Sequence, residues 1–298
     1  MTTIATAAKP ADLPAGWLPR AGSVLVVLAR PGQESAELGG LLYAFRRAGA
    51  DLALLCLTRG EASAVNFTGS ARLEAVRPWE LQLAASVLGI PHVTVASYPD
   101  GDLGRQPEAE LRDRIGRAIR EHAADLLLVI DPAAGDADDD GSAMDDAAIE
   151  MDDVAVDDAA MDDAAMDMDD AAVAAAACTA ARRAGVPVLA RTGPPGRVPG
   201  AWVIDLGPDA GTARIIQKAA VAAHESQSPA LPELIRRLDR LDGREHLRWL
   251  VTPAWARRTP ERQEKTCPTT RPRPIARTAR KPPTPLTSLP WHRADTSW

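Results

Sequence analysis

The segment Ser23–Gly40, SVLVVLARPGQESAELGG, constrains the fold more than any other part of this chain. Its first half, Ser23–Ala29, is a short run of Val and Leu with little polar alternation. That pattern suits a central strand of a parallel sheet, covered on both faces. The strand leads through Arg30-Pro31-Gly32-Gln33-Glu34 into a helix over Glu34–Ala48, where Leu38, Leu41, Leu42 and Phe45 recur at three- and four-residue steps. Gly49 would cap it. In open α/β sheets ligands bind at the carboxyl ends of strands, so a site is expected near Arg30 and Glu34.

The same alternation repeats. Strands are expected over Asp51–Leu57, His92–Ser97 and Leu126–Ile130, with helices over 70–88 and Glu108–His122. Further on, helices are expected over Ala171–Ala184, Thr212–His224 and Pro229–Leu241, and strands over Val188–Ala190 and Trp202–Leu206. Short connections and strand–helix alternation imply an α/β fold, a Rossmann-like doubly wound, mostly parallel sheet flanked by helices. No Gly-x-Gly-x-x-Gly follows the first strand, which argues against a dinucleotide site.

Charge divides the chain. The net charge is −7, but 136–170 alone holds fifteen Asp and one Glu with no Lys or Arg. So dense a run of like charges is expected to stay solvated or to fray. From Thr252 onward the composition turns to Pro, Arg and Thr, with ten Lys or Arg against three acids. The expected organisation is a loose arm over 1–20, an α/β domain over 21–250 interrupted by the acidic insert 136–170, and a basic tail over 251–298. Nothing in that tail is a nucleic-acid-binding motif, so no specific nucleic-acid partner is expected. Asp136–Gly141 resembles the opening of a calcium loop, but its twelfth position is Ala147, where a bidentate Glu is required. Cys56, Cys178 and Cys267 are far apart in sequence, and the first two sit in apolar or Ala-rich surroundings that suit buried thiols. No run approaches 18 apolar residues and no apolar segment follows Lys9, so neither a membrane span nor a secretory signal is expected, and the location expected is cytoplasmic.

Five short segments in order resemble the LmbE-like family of metal-dependent N-deacetylases, also called the PIG-L family. They are Ala29-Arg30-Pro31-Gly32-Gln33-Glu34 with Gly39-Gly40, Thr58-Arg59-Gly60-Glu61, Arg77-Pro78-Trp79-Glu80-Leu81, Asp100-Gly101, and His224-Glu225-Ser226-Gln227. The resemblance spans about Ser23 to Leu250. It implies the LmbE-like deacetylase fold and, for the family, zinc-dependent hydrolysis of the N-acetyl amide of an amino sugar.

The residues that carry that chemistry are substituted. The resemblance places Arg30 at a ligand histidine, Gln33 at a ligand aspartate and Gly32 at the general base. A second ligand segment is best matched by Asp167-Met168-Asp169-Asp170 before Ala171, with Asp138–Gly141 as an alternative. Zinc sites are built from imidazole, thiolate and carboxylate. Arginine keeps its charge and offers no lone pair. No metal or other cofactor is therefore expected, and catalysis is expected to be impaired. A ligand pocket is expected from Arg30, Gln33, Glu34, Arg77, Asp100 and His224, taking an amino-sugar-like or anionic small molecule. Within it Arg30 would pair with Glu34, Asp100 or Asp170, or with the anion itself. The remaining histidines are expected elsewhere: His92 at a strand start, His122 and His246 on helix surfaces.

Two rival expectations remain. In an active amide hydrolase, Arg77 and Asp100 would hold sugar hydroxyls, and Asp167, Asp169 or Asp170 would act as base or ligand. In an interaction protein, the acidic insert and the basic tail would carry the function.

Overall fold

The computed structural model describes residues 18–66, 72–133 and 154–254, leaving the side chains of 154–167 outside that description. All of these lie in one compact unit, Met1–Arg257. Most of the acidic insert, including Asp136–Gly141, and the tail beyond 254 lie outside the described residues.

The unit is built on a seven-stranded sheet in the order β3-β2-β1-β4-β5-β7-β6. The strands are β1 (Ser23–Leu28), β2 (Asp51–Thr58), β3 (His92–Tyr98), β4 (Leu126–Ile130), β5 (Val188–Arg191), β6 (Trp202–Asp205) and β7 (Arg244–Val251). β1 pairs in parallel with β2 on one side and β4 on the other. The chain thus winds outward from β1 to β3, then returns and winds the other way from β4. The crevice between the carboxyl ends of β1 and β4 is the switch point, where open α/β sheets take their ligands. The doubly wound, mostly parallel sheet expected from the sequence is observed, with β7 the antiparallel exception.

Among the described residues, seven helices cover the two faces: α1 (Gln33–Ala36), α2 (Gly39–Arg47), α3 (Leu73–Leu88), α4 (Glu108–Glu121), α5 (Val154–Ala184), α6 (Ala210–Ala222) and α7 (Leu231–Arg240). One face of the sheet buries Leu25, Val27, Leu127 and Val129 under Leu111 and Ile115 of α4 and Ala176, Ala177 and Ala180 of α5. The other buries Val24, Val26, Leu54 and Leu128 under Leu41, Leu42 and Phe45 of α2 and Leu81 and Ala84 of α3. Successive residues of β1 and β4 face opposite layers, which is why these strands read as unbroken apolar runs.

Four elements differ from expectation. The helix expected over Glu34–Ala48 is two, α1 and α2, parted at Glu37 and Leu38. Gly39 seats against Gln217 of α6, where a Cβ would come within 2.6 Å of that side chain. The helix expected to start at Ala171 starts at Val154, so its first half is drawn from the acidic run. Its buried Ala face, with Ala176, Ala177 and Ala180, is where it packs on the sheet. β7 was not expected, because Arg244, Glu245, His246 and Arg248 mask an alternation that buries Glu245, Leu247 and Val251. His246 is therefore on a strand, not a helix surface. Finally, Pro229 and Ala230 belong to a 3-10 turn, Glu225–Ala230, before α7. Cys56 and Cys178 are free and buried. No described helix is long and apolar enough to cross a membrane.

Candidate functional site

Two residues from the loop after β1 and one from α5 meet at the switch point. Gln33 Nε2 donates to both oxygens of Asp170, at 2.8 and 3.0 Å. Arg30 Nη2 lies 3.6 Å from Asp170 Oδ2. The amide oxygen of Gln33 accepts from the backbone N–H of Ala29 and of Arg30, both at 3.1 Å. Those two donors fix which way the amide points: its oxygen faces the backbone and its NH2 faces Asp170. Asp170 has a pKa raised to about 6, chiefly by burial; Arg30 and the Gln33 hydrogen bond oppose the rise. Of the expected partners for Arg30, the structure selects Asp170.

Glu34 lies beneath this group and is fully buried. Its Oε1 is 2.6 Å from His224 Nε2 and accepts from Ser35 Oγ at 2.5 Å; its Oε2 accepts from the Gly32 N–H at 2.9 Å. Burial alone would raise the Glu34 pKa, but His224 and these hydrogen bonds hold it below the usual range. Glu34 and His224 are thus a structural pair that ties the β1 loop to the end of α6.

Arg77 and Asp100 do not hold an open pocket; they tie loops together. Arg77 on α3 is buried and donates through Nη1 to Gly60 O and through Nη2 to Pro31 O, each at 2.6 Å. Asp100 accepts from Thr58 Oγ1 at 2.8 Å and from the Ala62 N–H at 3.1 Å. Together they join the loops after β1, β2 and β3 into one rim. Gly60, at φ +75°, closes that rim, because a Cβ there would lie 2.5 Å from Arg77 Nη1.

The acidic triplet divides. Asp169 is fully buried and accepts from the N–H of Gly101 at 2.8 Å and of Leu103 at 2.7 Å. Burial raises its pKa against the pull of those two amides. Both of its oxygens accept from backbone N–H groups, through which Asp169 anchors α5 to the loop after β3. Asp167 lies on α5 where side chains are not described. Of the two whose side chains are described, Asp170 meets Arg30 and Gln33.

A second set of charges, not anticipated from the sequence, lies behind the first. Glu37 takes Arg191 Nη1 at 2.9 Å and Arg237 Nη2 at 2.5 Å. Asp131, directly after β4, accepts from Thr192 Oγ1 at 2.7 Å and Arg248 Nη2 at 2.6 Å. The only sequence signal for Asp131 was its place at the carboxyl end of a strand beside the switch point. For Arg191, Arg237 and Arg248 there was none, since their partners are distant in sequence.

Residues 25–151 match the family model "PIG-L: GlcNAc-PI de-N-acetylase". Over that stretch the chain is similar to the PIG-L family. It is 30% identical over 113 residues, or 37% of its length, to a probable N-acetyl-alpha-D-glucosaminyl L-malate deacetylase 2 of Bacillus anthracis. The match covers 50% of that relative, so the chain spans about half the length of the curated protein it matches. Among solved structures it is similar to a conserved protein of Thermus thermophilus, with a TM-score of 0.53 at 19% identity over 76% of this chain and 93% of that one. It is also similar to the N,N'-diacetylchitobiose deacetylase of Pyrococcus horikoshii, with a TM-score of 0.51 at 15% identity over 78% and 84%. The fold is the LmbE-like deacetylase fold.

The PIG-L-like site does not fit the zinc ion the fold family implies. Arg30 would set a fixed positive charge beside a dication. Gln33 presents NH2 rather than oxygen to the centre. Among the described residues Asp170 is the one carboxylate that meets both Arg30 and Gln33, and no three His, Cys, Asp or Glu side chains are grouped as a metal ion requires.

Proposed function

We propose that this PIG-L-like chain is built for N-acetylated-sugar chemistry of the kind its relatives are named for, but binds a small ligand in the crevice without zinc-dependent hydrolysis. One observation carries the reading: Arg30, Gln33 and Asp170 interact with one another where the family resemblance places metal ligands. An activated water at neutral pH needs a metal to lower its pKa or a base to take its proton. Gly32 supplies no side chain for that role, and Asp169 is held by backbone amides. The test is to incubate the full chain with zinc, measure its metal content, and assay it against N-acetylglucosaminyl substrates. No stoichiometric zinc and no chelator-sensitive turnover are expected. Turnover that a chelator abolishes overturns the reading.

The family match and the named activity of the Bacillus relative favour a second reading, a working N-deacetylase with an altered site. In that case Arg77 and Asp100 act only through the loops they join, and substrate hydroxyls are held by other groups. The same assay decides between the two.

A further inference from the structure

Arg30 is the least satisfied charge at the switch point. Its Nη1 is buried and has no hydrogen-bond partner. Its Nη2 is 3.6 Å from Asp170, well beyond the roughly 2.7–2.9 Å of a charge-assisted bond. Asp170 turns both oxygens to Gln33 instead. The other nearby acids are committed: Glu37 to Arg191 and Arg237, Asp169 to two backbone amides. A buried donor without an acceptor is unfavourable, and a guanidinium fork is best satisfied by two oxygens of one planar or tetrahedral anion.

Gly32, two residues on, places no side chain beside this loop, and a Cβ built there would meet Arg77 Nη2 at 3.8 Å, an ordinary contact. Arg30 and Asp170 are 14% and 15% exposed, so both are reached from solvent at the crevice mouth.

We propose that Arg30 is an oxyanion receptor: a small molecule bearing a carboxylate or phosphate pairs with its guanidinium, and Asp170 is the internal group that this anion displaces. The inference rests on the zinc-free reading above and adds the ligand's chemical class. No bond is made or broken; one ion pair replaces another. Gln33 stays fixed by the Ala29 and Arg30 amides and can donate to the incoming oxygens as it does to Asp170.

The experiment is calorimetric titration of the full chain at fixed ionic strength with glucuronate, glucose 6-phosphate and, as the neutral control, glucose. One of the two acids should bind at least about tenfold more tightly than glucose, and which one does so separates carboxylate from phosphate. D170A should tighten that acid by about tenfold, because the competing carboxylate is gone. R30M should reduce it to the level of glucose. R30K, which keeps the charge but loses the fork, should fall between them; circular dichroism confirms that each variant is folded. Acids that bind no better than glucose to both the wild-type protein and D170A overturn the inference, as does undiminished binding by R30M or R30K. Metal analysis of the same samples separates the two claims. Stoichiometric zinc defeats the zinc-free reading, whereas zinc-free protein indifferent to both acids defeats only the receptor.

Discussion

Gln33 and Asp170, 137 positions apart in the chain, are joined by two hydrogen bonds from one amide NH2 to one carboxylate. The pair fastens the N-terminal end of the short helix α1 to the middle of α5, across the switch point. Neither element reaches the other through apolar packing there. The polar contact is therefore a lock between two layers, made by residues that the family resemblance aligns with metal ligands.

That contact makes stability depend on pH in a specific direction. The folded protein holds the Asp170 proton more tightly than the unfolded chain does, since burial raises its pKa from 3.8 to about 6. Between those values the native state binds more protons, so stability falls as pH rises through the window and the penalty is complete above it. Its full size is on the order of 3 kcal/mol. D170N stays neutral and escapes the penalty. Urea midpoints for D170N and wild type should coincide near pH 4 and diverge in favour of D170N by pH 7. A constant gap across that range would refute the assignment.

Arg77 should matter to folding more than to any bound sugar. It is buried, and its two carbonyl bonds join the loops after β1 and β2. R77M leaves Pro31 O and Gly60 O without these donors, a loss of about 3 kcal/mol for two charge-assisted bonds in a buried setting. G60A should cost about 2 kcal/mol through the same contact, from a positive φ and a clash with that guanidinium. In the double variant R77M/G60A the costs should be less than additive, because the clash partner has gone. Additive chemical-denaturation energies would show that the two residues act separately.

Much of this was legible in the sequence, and the reason is local. Val and Leu runs bounded by Gly announce strands and helix ends whatever their partners are. The short motifs survive because their members hold one another: Arg77 meets Gly60, Thr58 meets Asp100, and Glu80 meets Ser226. The site was legible only where the resemblance aligned it, as at Arg30 and Gln33. The repetitive acidic run left two registers open; Asp170 of the first meets Gln33, and Asp138–Gly141 of the second lies outside the described residues. The contacts that Arg77 and Asp100 make with neighbouring loops were not legible for a related reason. Residue type announces a polar contact, but not whether its partner is a ligand or a backbone carbonyl. β7 escaped notice because its charged residues find buried partners, such as Arg214 for Glu245, that no local pattern predicts.

Glu80 is the clearest case of a motif residue whose purpose is architectural. It is buried on α3, and its two oxygens accept from the backbone N–H and the Oγ of Ser226, both at 2.7 Å. E80A strands both donors and should destabilise the fold by about 2–4 kcal/mol. S226A removes one of the two bonds and should cost about half as much. Hydrogen exchange is the discriminating measurement: protection should fall first at Ser226 and Gln227. Loss spread evenly over the sheet would mean that the contact is not a local anchor.

Two changes at the switch point should build a metal site, and which ones follows from geometry. R30H removes the fixed cation and supplies an imidazole, while Q33D turns an NH2 into an oxygen ligand beside Asp170. Together they provide one nitrogen and two carboxylates, a donor set that zinc accepts. R30H/Q33D should therefore bind zinc stoichiometrically, and elemental analysis of the dialysed protein reads the result directly. Either single variant should bind far more weakly, because R30H retains an NH2 at the centre and Q33D retains a cation. Hydrolysis should not accompany the metal, since Gly32 offers no carboxylate, and at φ +101° an Asp there would be strained. Adding G32D should give at most slow turnover of an N-acetylglucosaminyl substrate, at a stability cost of about 1–2 kcal/mol. Failure of R30H/Q33D to take up zinc while still folded would show that the crevice, and not only these two side chains, has lost the shape of a metal site.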